Sequence, residues 1–411
     1  MSSPETRPPT SPQSLIVTCE PQWEDALQHE MTRTLGAYDT RILGAGWLHT
    51  HLPPALEPPY RLAFSRQVLP APLSLVHPSI STMAAAVAEQ IASQLDTHQG
   101  PWRWHVFHNR WTQPEIKTSN RDRAHHKDRP TEHPAGPSPH HKARPTEEIE
   151  PHAHEQADTT STKRCELLSQ AVLDQLQPRY RRLAKRAHTR SEALWQPDEA
   201  FVQLALPSNA QGFLSILTPE QRQPWEPTIS GWASGDVFVP PDREAPSRAC
   251  QKLYEVALRF NRPIQQGQTC VDLGSSPGGW AWVALQQGAS VIALDRSPLR
   301  PDLMQHPKLT FIQGDAFAFV PARPVDWLLS DLIAFPPRLF ELLRAWLEHR
   351  WCQHFCVTLK LRGREDDPIL NDFYTMLSLY TDDFLIRRLK VNKNEATVLG
   401  SLPTLHNSSP S

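Results

Sequence analysis

Four acidic residues stand at or near the ends of short apolar runs in the carboxy-terminal half of the chain. Asp272, Asp295 and Asp331 occur in V-D-L, V-I-A-L-D and L-L-S-D-L, and Asp315 follows a further run in I-Q-G-D-A. Carboxylates accept hydrogen bonds. An acid about 20 residues beyond the turn that follows the first strand typically binds the two hydroxyls of a ribose. The series therefore predicts a site for a ligand that carries a nucleoside.

A glycine-rich turn follows the first of these runs, in V-D-L-G-S-S-P-G-G-W. Gly274, Gly278 and Gly279 would let the backbone pass close to a ligand, because glycine has no Cβ. The spacing G-x-x-x-G-G differs from the dinucleotide pattern G-x-G-x-x-G, and no Walker lysine follows. NAD and ATP are therefore disfavoured as ligands.

The acids and the turn together predict S-adenosyl-L-methionine as the cofactor. We place its ribose at Asp295, its adenine edge at Asp315 and its methionine or sulfonium side near Asp331. The alternative is that these acids are turn residues of an α/β domain without a ligand.

The residues around Asp331 narrow the class of methyl acceptor. Asp331 is followed by Leu332 and Ile333, not by the Pro-Pro-aromatic sequence that holds an exocyclic base nitrogen, and no cysteine lies where attack on a pyrimidine carbon would need one. Lys360 ends a fifth apolar run, V-T-L-K, where we expect burial to lower its pKa. Such a lysine can remove or steer the proton of a ribose hydroxyl during in-line attack on a methyl group.

At these residues the chain resembles a known family. Lys252, Asp331, Lys360 and Glu395 occur in the order of the K-D-K-E tetrad of the FtsJ-like RNA ribose 2′-O-methyltransferases, and P-G-G-W also matches. The contexts A-P-S-R-A-C-Q-K-L and N-E-A-T-V are similar to the RlmM type within that family. The resemblance is firm from about residue 240 to residue 401 and faint before it.

The resemblance implies a reaction and a set of contacts. The RlmM type methylates a cytidine ribose of 23S rRNA and carries a THUMP-containing amino-terminal half. By analogy the four tetrad residues are catalytic, with Lys360 as the proton acceptor, while Trp280 and Trp282 are expected to pack a helix on the sheet rather than to stack on RNA. The cofactor contacts predicted from the motifs and the resemblance are Ser247, Gly274, Ser276, Pro277, Gly278, Gly279, Trp280, Asp295, Asp315 and Asp331.

Alternating strands and helices must position these residues. Apolar runs at 270–273, 291–294, 309–312, 327–329 and 355–361 are separated by helix-length segments, which is typical of a doubly wound parallel sheet. We predict an α/β, Rossmann-like, S-adenosylmethionine-dependent methyltransferase domain with a mostly parallel sheet. A smaller α+β THUMP-like region with a disordered insertion would precede it.

The amino-terminal half carries element patterns of its own. A strand is predicted at 15–19, a helix through Trp23, Leu27 and Met31, a second helix from Ile80 to Leu95 capped by Ser79 or Ser81, and strands at 201–206 and 213–217. Residues 112–163 have no aromatic residue and only two branched aliphatic residues, so we predict disorder there. The histidines of this segment do not form a predicted metal site, because metal ligands need fixed geometry.

A basic run, R-Y-R-R-L-A-K-R-A-H-T-R, follows the insertion. Arg179, Arg182, Arg186 and Arg190 recur at helical spacing and would form one face that contacts RNA phosphates, with Tyr180 available to stack. The alternative is a solvated helix face.

Length and composition bound these interpretations. At 411 residues and a net charge of -2 the chain should hold two or three domains, and any affinity for nucleic acid must come from local patches. Six cysteines without C-x-x-C spacing and the lack of a long apolar run predict a soluble cytoplasmic protein with no disulfide framework and no membrane or DNA partner. The predicted divisions are a tail at 1–13, an α+β region at 14–111, the disordered segment at 112–163, a THUMP-like continuation at 164–232, the methyltransferase domain at 233–402 and a tail at 403–411.

Three functions remain open at this point. The first is methyl transfer from S-adenosyl-L-methionine to a ribose 2′-hydroxyl, with ribosomal RNA, 23S by the resemblance, as the partner. The second is an inactive rRNA-binding or ribosome-assembly protein on a methyltransferase scaffold, and the third is a methyltransferase for small molecules or proteins. The oligomeric state is left open.

Overall fold

The computed structural model describes residues 13–54, 60–108, 152–361 and 367–404. The strands are β1 (Gln13–Thr18), β2 (Tyr38–Gly44), β3 (Trp47–Leu52), β4 (Gln67–Pro70), β5 (Leu73–Val76), β6 (Trp102–His108), β7 (Ala187–His188), β8 (Ala200–Leu206), β9 (Gln211–Leu217), β10 (Thr269–Leu273), β11 (Ser290–Asp295), β12 (Leu309–Gln313), β13 (Val325–Ser330), β14 (Cys352–Lys360), β15 (Phe384–Arg387) and β16 (Glu395–Ser401). The α-helices are α1 (Glu24–Leu35), α2 (Ile80–Leu95), α3 (His152–Leu176), α4 (Arg181–Arg186), α5 (Pro219–Arg222), α6 (Cys250–Arg259), α7 (Gly279–Gln286), α8 (Pro301–Met304), α9 (Pro336–Glu348) and α10 (Asp367–Ser378).

The chain first forms a four-stranded antiparallel sheet in the order β2-β3-β1-β4. Alternate residues of β1 face opposite sides, as the pleat requires. Leu15 and Val17 pack with Leu27 of α1, whereas Ile16 packs with Phe213 of the next sheet. The predicted first strand and helix are therefore confirmed.

A second sheet follows in the order β5-β9-β8-β6-β7 and is covered by α2 and α3. The helix α2 begins after Ser79, whose hydroxyl accepts a hydrogen bond from the backbone N–H of Thr82 at 3.1 Å. Of the two predicted caps, Ser79 is the one that the structure uses.

The amino-terminal half differs from its prediction in two ways. It contains two sheets rather than one small module, because β2 to β4 form a sheet separate from β8 and β9. The predicted disordered segment also ends too late, since α3 already begins at His152; its residues up to 151 lie outside the described residues.

The carboxy-terminal sheet has the order β12-β11-β10-β13-β14-β16-β15. Strands β10 to β14 are parallel, as predicted, and β16 runs antiparallel between β14 and β15. Helices α6 and α7 pack on one face, and α9 and α10 pack on the other. This is a doubly wound, Rossmann-like sheet, and such sheets bind ligands at the carboxyl ends of their strands.

A buried arginine, Arg388, joins the segments that flank the strands of the first sheet to this carboxy-terminal domain. The backbone N–H of Arg388 donates to the carbonyl of Ala63 at 2.9 Å, and the Arg388 guanidinium lies 4.0 Å from the ring centre of Trp23 and pairs with Glu20. The two halves therefore share a contact surface.

The described helices include none with the length and apolar character that a bilayer crossing needs.

Candidate active site

The four tetrad residues are brought together by one helix and three neighbouring strands. Lys252 lies in the first turn of α6, and Asp331 directly follows β13. Lys360 ends β14 and Glu395 begins β16, where the antiparallel register pairs these two residues. All four residues meet at the carboxyl edge of the parallel strands.

Their charged groups form a closed ring of two cations and two anions. Lys252 Nζ donates to Asp331 Oδ1 at 2.8 Å and to Glu395 Oε2 at 2.6 Å. Lys360 Nζ donates to Asp331 Oδ1 at 3.0 Å and to Glu395 Oε1 at 2.8 Å. Each lysine thus contacts both carboxylates, so the predicted tetrad is spatially assembled.

Partial burial makes this ring electrostatically strong. Burial acts to raise the pKa of Glu395, but the charges and hydrogen bonds of Lys252 and Lys360 outweigh it and lower the pKa to about 2. Burial likewise acts to lower the pKa of Lys360, but the charge of Asp331 and the hydrogen bond and charge of Glu395 raise it above the ordinary value. The expectation that burial lowers the pKa of Lys360 is wrong, since it neglects the two carboxylates.

Two residues that the sequence analysis did not single out hold Glu395 in place. Asn392 Nδ2 donates to Glu395 Oε2 at 2.9 Å, and Asn392 Oδ1 accepts from the backbone N–H of Leu389 at 2.6 Å. The guanidinium of Arg388 donates to the carbonyl oxygens of Asn392 and Lys393. In the sequence, the polar run V-N-K-N ahead of Glu395 is the pattern that could have pointed to the role of Asn392.

The glycine-rich turn lies beside this ring. Gly274 and Gly278 have φ values of 79° and 113°, in the region that favours glycine. A Cβ on Gly274 would lie 2.6 Å from Leu332 Cδ2, and one on Gly279 would collide with the hydroxyl of Ser247. A side chain at Gly274 would thus push the turn away from the residue after Asp331. A side chain at Gly279 would push it away from the segment before α6.

The strand-end acids fall into two groups. Asp295 accepts from the backbone N–H groups of Ser276 at 3.0 Å and Ser297 at 2.9 Å, so it ties β11 to the turn. The hydrogen bond from Phe317 N, with the charges of Arg296 and Arg338, lowers the pKa of the partly exposed Asp315. Both are acceptors at the rim.

Asp272 is different, because it is 1% exposed. Burial, followed by the charge of Asp331, raises the pKa of Asp272 to about 8. A carboxyl group with this pKa is mostly protonated at neutral pH, and its burial distinguishes it from the acceptors at the rim.

Comparison with known proteins agrees with this geometry. Residues 245–365 match the family model described as FtsJ-like methyltransferase. This part of the chain is an FtsJ-like methyltransferase domain. Curated relatives with the name Ribosomal RNA large subunit methyltransferase M are also similar to part of this chain.

Three of these relatives show how far the similarity extends. The protein from Xylella fastidiosa strain M12 is 38% identical over 124 residues, which are 29% of this chain and 35% of the relative. The protein from Laribacter hongkongensis is 32% identical over 185 residues, which are 44% of this chain and 50% of the relative. The protein from Stenotrophomonas maltophilia is 29% identical over 261 residues, which are 60% of this chain and 69% of the relative. In the first of these, the match spans only about a third of the relative's own length.

The prediction that the Trp280 side chain contacts the cofactor is wrong. Its side chain is 3% exposed, and its indole N–H donates to the carbonyl of Ala249 at 2.9 Å. The ring packs α7 against α6 and the neighbouring strands, which agrees with the predicted packing of this helix on the sheet, so the side chain of Trp280 is not available to a cofactor. Trp282 donates to Asp242 at 2.9 Å and packs at the edge of the same core.

The predicted basic face is not one helix face. Arg179 precedes α4, which ends at Arg186, and Arg190 follows β7. Arg186 is half-buried and donates to Gln99 Oε1 at 3.1 Å, whereas Arg179, Arg182 and Arg190 are exposed. Pairing of Ala187 with Trp102 in β6 interrupts the helix, so the arginines occupy a helix and its flanks.

Proposed function

We propose that the protein transfers a methyl group from S-adenosyl-L-methionine to a ribose 2′-hydroxyl, in a cytidine of 23S rRNA. The observation that carries this proposal is the closed ring of Lys252, Asp331, Lys360 and Glu395 next to the glycine-rich turn. Relatives with the printed name Ribosomal RNA large subunit methyltransferase M support the choice of ribosomal RNA.

The hydrogen-bonding chemistry of the site fits this cofactor. Its ribose hydroxyls, its amino groups and its sulfonium are all donors or cations, while the rim offers the carboxylates of Asp295, Asp315 and Asp331. Asp295 would hold the ribose, Asp315 the adenine edge, and Asp331 would face the methionine side. The proposed contacts with the turn run through Ser276, Pro277, Gly278 and Gly279, with Ser247 beside them. When bound, the cofactor supplies an electrophilic methyl group.

The chain's own residues would manage the proton of the ribose hydroxyl. In the described state Lys360 is an ammonium group, because its pKa is raised. It must lose that proton before it can accept another, and both burial under RNA and a neighbouring positive charge lower a lysine pKa. Lys252 and Glu395 would keep the Lys360 amine aligned while Asp331 orients it towards the 2′-oxygen.

The amino-terminal half would hold the RNA. We propose that residues 14–111 and 164–232 form a THUMP-like RNA-binding region ahead of a methyltransferase domain at 233–402, acting in the cytoplasm, where the six buried, free cysteines stay reduced. Exposed Arg179, Arg182 and Arg190 supply cations for phosphates, and Arg186 contributes from a half-buried position.

Mapping of ribose methylation in rRNA from cells with and without this protein tests the proposal. We expect one 2′-O-methylated cytidine in 23S rRNA to disappear in its absence and to return with the wild-type gene but not with Lys360→Ala. If the two methylation maps are the same, the proposed reaction is wrong.

A further inference from the structure

Three tetrad residues lie in a row where β13, β14 and β16 meet the carboxyl edge of the sheet. The order β13-β14-β16 places Asp331, Lys360 and Glu395 side by side at the carboxyl edge. Adjacent strands are about 4.8 Å apart, so the row is roughly 10 Å long. Lys360 occupies its centre.

Exposed apolar side chains lie on the β13 side of this row. The residues after Asp331 lead to α9, and Leu332 turns inward towards Gly274. Ile333 is 93% exposed and Phe335 is 67% exposed. We call these two residues the apolar edge.

Exposed cations lie on the opposite side, in the segment that leads into β16. Lys390 and Lys393 are exposed, and within the described ranges neither ammonium group has a carboxylate partner. The backbone here is fixed, since Lys390 N donates to Glu255 Oε2 at 2.7 Å and Leu361 N donates to the Asn394 carbonyl at 2.8 Å. We call these two lysines the basic edge.

We propose that the two edges orient the target nucleotide, with its base against the apolar edge, its phosphates at the basic edge and its 2′-oxygen above Lys360. This inference rests on the proposed function and names the substrate contacts of the same site. In a nucleotide the 2′-oxygen lies between the base and the 3′-phosphate, which is the order of the apolar edge, Lys360 and the basic edge.

The chemistry of each edge agrees with this orientation. The ring of Phe335 can stack on any unpaired base, because every base has a π-face, and Ile333 adds apolar contact. Ammonium groups bind phosphates and release counterions, so their contribution depends on salt. The reverse orientation would place phosphates on apolar side chains and a base between two hydrated ammonium groups.

The test compares two double variants of the full-length protein with matched controls. Ile333→Ser with Phe335→Ser removes the apolar edge, and Lys390→Gln with Lys393→Gln removes the charge of the basic edge. The apolar control is Val76→Ser with Leu379→Ser, at positions 70% and 77% exposed. The basic control is Lys308→Gln with Arg323→Gln, just ahead of β12 and β13 at the other end of the sheet.

Methyl transfer is measured on a 23S rRNA fragment that contains the modified cytidine, and on the same fragment with that nucleotide made abasic. The KM of the wild type and of both controls should rise by about 5- to 160-fold on the abasic RNA, the range of one base–aromatic stack. The KM of the apolar-edge variant should be raised by this factor already on normal RNA, with little further rise on abasic RNA. Phe335→Tyr, which keeps the ring, should behave as wild type.

The basic-edge variant should raise KM and reduce the slope of log KM against log salt by about 1.4, for two phosphate contacts on a single strand, at unchanged kcat. If wild type methylates the RNA while both edge variants match their controls, the orientation is wrong and the proposed function stands. If wild type methylates no RNA ribose, the proposed function fails, and the orientation fails with it.

Discussion

Replacing Glu395 by glutamine should move the pH dependence of methyl transfer to lower pH. Glu395 is one of two carboxylates that raise the pKa of Lys360, and it does so both by a hydrogen bond of 2.8 Å and by its charge. Glutamine has nearly the same shape but no charge. Asp331 would then be the single anion of the ring.

The expected shift follows from the geometry. Two unit charges about 2.8 Å apart interact by roughly 6 kcal/mol at an effective dielectric constant near 20, or about 4 pH units, which is an upper limit. Lys360 is 22% exposed, so solvent screens part of this interaction, and the amine can move closer to Asp331. One opposite charge at such a distance typically changes a pKa by about 1–3 units, and we expect a shift of that size.

The assay is single-turnover methyl transfer to saturating RNA between about pH 6 and pH 10. The pKa of Lys360 is raised, so the neutral amine is scarce at low pH and the wild-type rate should climb about tenfold per pH unit until the pKa is reached. Glu395→Gln should level off about 1–3 units earlier. Glu341→Gln is the matched control, because Glu341 pairs with Arg344 on the surface of α9 at 2.6 Å. Coincident pH–rate profiles for wild type and Glu395→Gln over this range would refute Lys360 as the proton acceptor under the control of Glu395.

Three further outcomes are expected. Lys360→Ala should reduce turnover by about 100- to 10,000-fold while calorimetry still detects cofactor binding, and wild-type turnover would contradict its role. Arg182→Gln with Arg190→Gln should weaken RNA binding and flatten its salt dependence in filter-binding titrations with little effect on turnover at saturating RNA, whereas unchanged binding at every salt concentration would remove these arginines from the RNA site. Gly278→Ala should destabilise the fold by about 1–3 kcal/mol in denaturant titrations, because φ is 113° and the new Cβ would meet Leu303, while Gly314→Ala, with open space around it, should be near neutral.

The sequence sufficed for the parts of the fold that local patterns encode. Strands β10 to β14 are apolar runs closed by acids or turn residues, and Asp331 and Lys360 stand at the ends of two of these runs. Lys252 and Glu395 lie outside them and were predicted from the resemblance to the FtsJ-like family. The place of β16 between β14 and β15 could not be read locally, because pairing of Lys360 with Glu395 joins residues 35 positions apart. Glu395 therefore lies on an interior strand, since β16 pairs with both β14 and β15.

Two other predictions failed because distant contacts override local patterns. The arginine spacing from Arg179 to Arg190 fits a helix, but Ala187 instead pairs with Trp102, 85 positions earlier in the chain, and ends α4. The pKa of Lys360 was inferred from an apolar strand alone, and the carboxylates that reverse its direction come from other strands. A single sequence shows which residues carry charge but not which charges will meet.

The contact of Arg388 with the segment between β1 and α1 would affect how the proposed target nucleotide is chosen. Arg388 touches Glu20 and Trp23 on one side, and on the other it holds the segment of Asn392 that carries Glu395. The amino-terminal region and the reactive groups are therefore kept at a set spacing. If that region binds a folded part of the RNA, we expect the nucleotide that reaches the active site to be set by its distance from the bound part. Lengthening the RNA between the two points by a few base pairs would then redirect the methyl group to a different nucleotide instead of merely weakening the reaction.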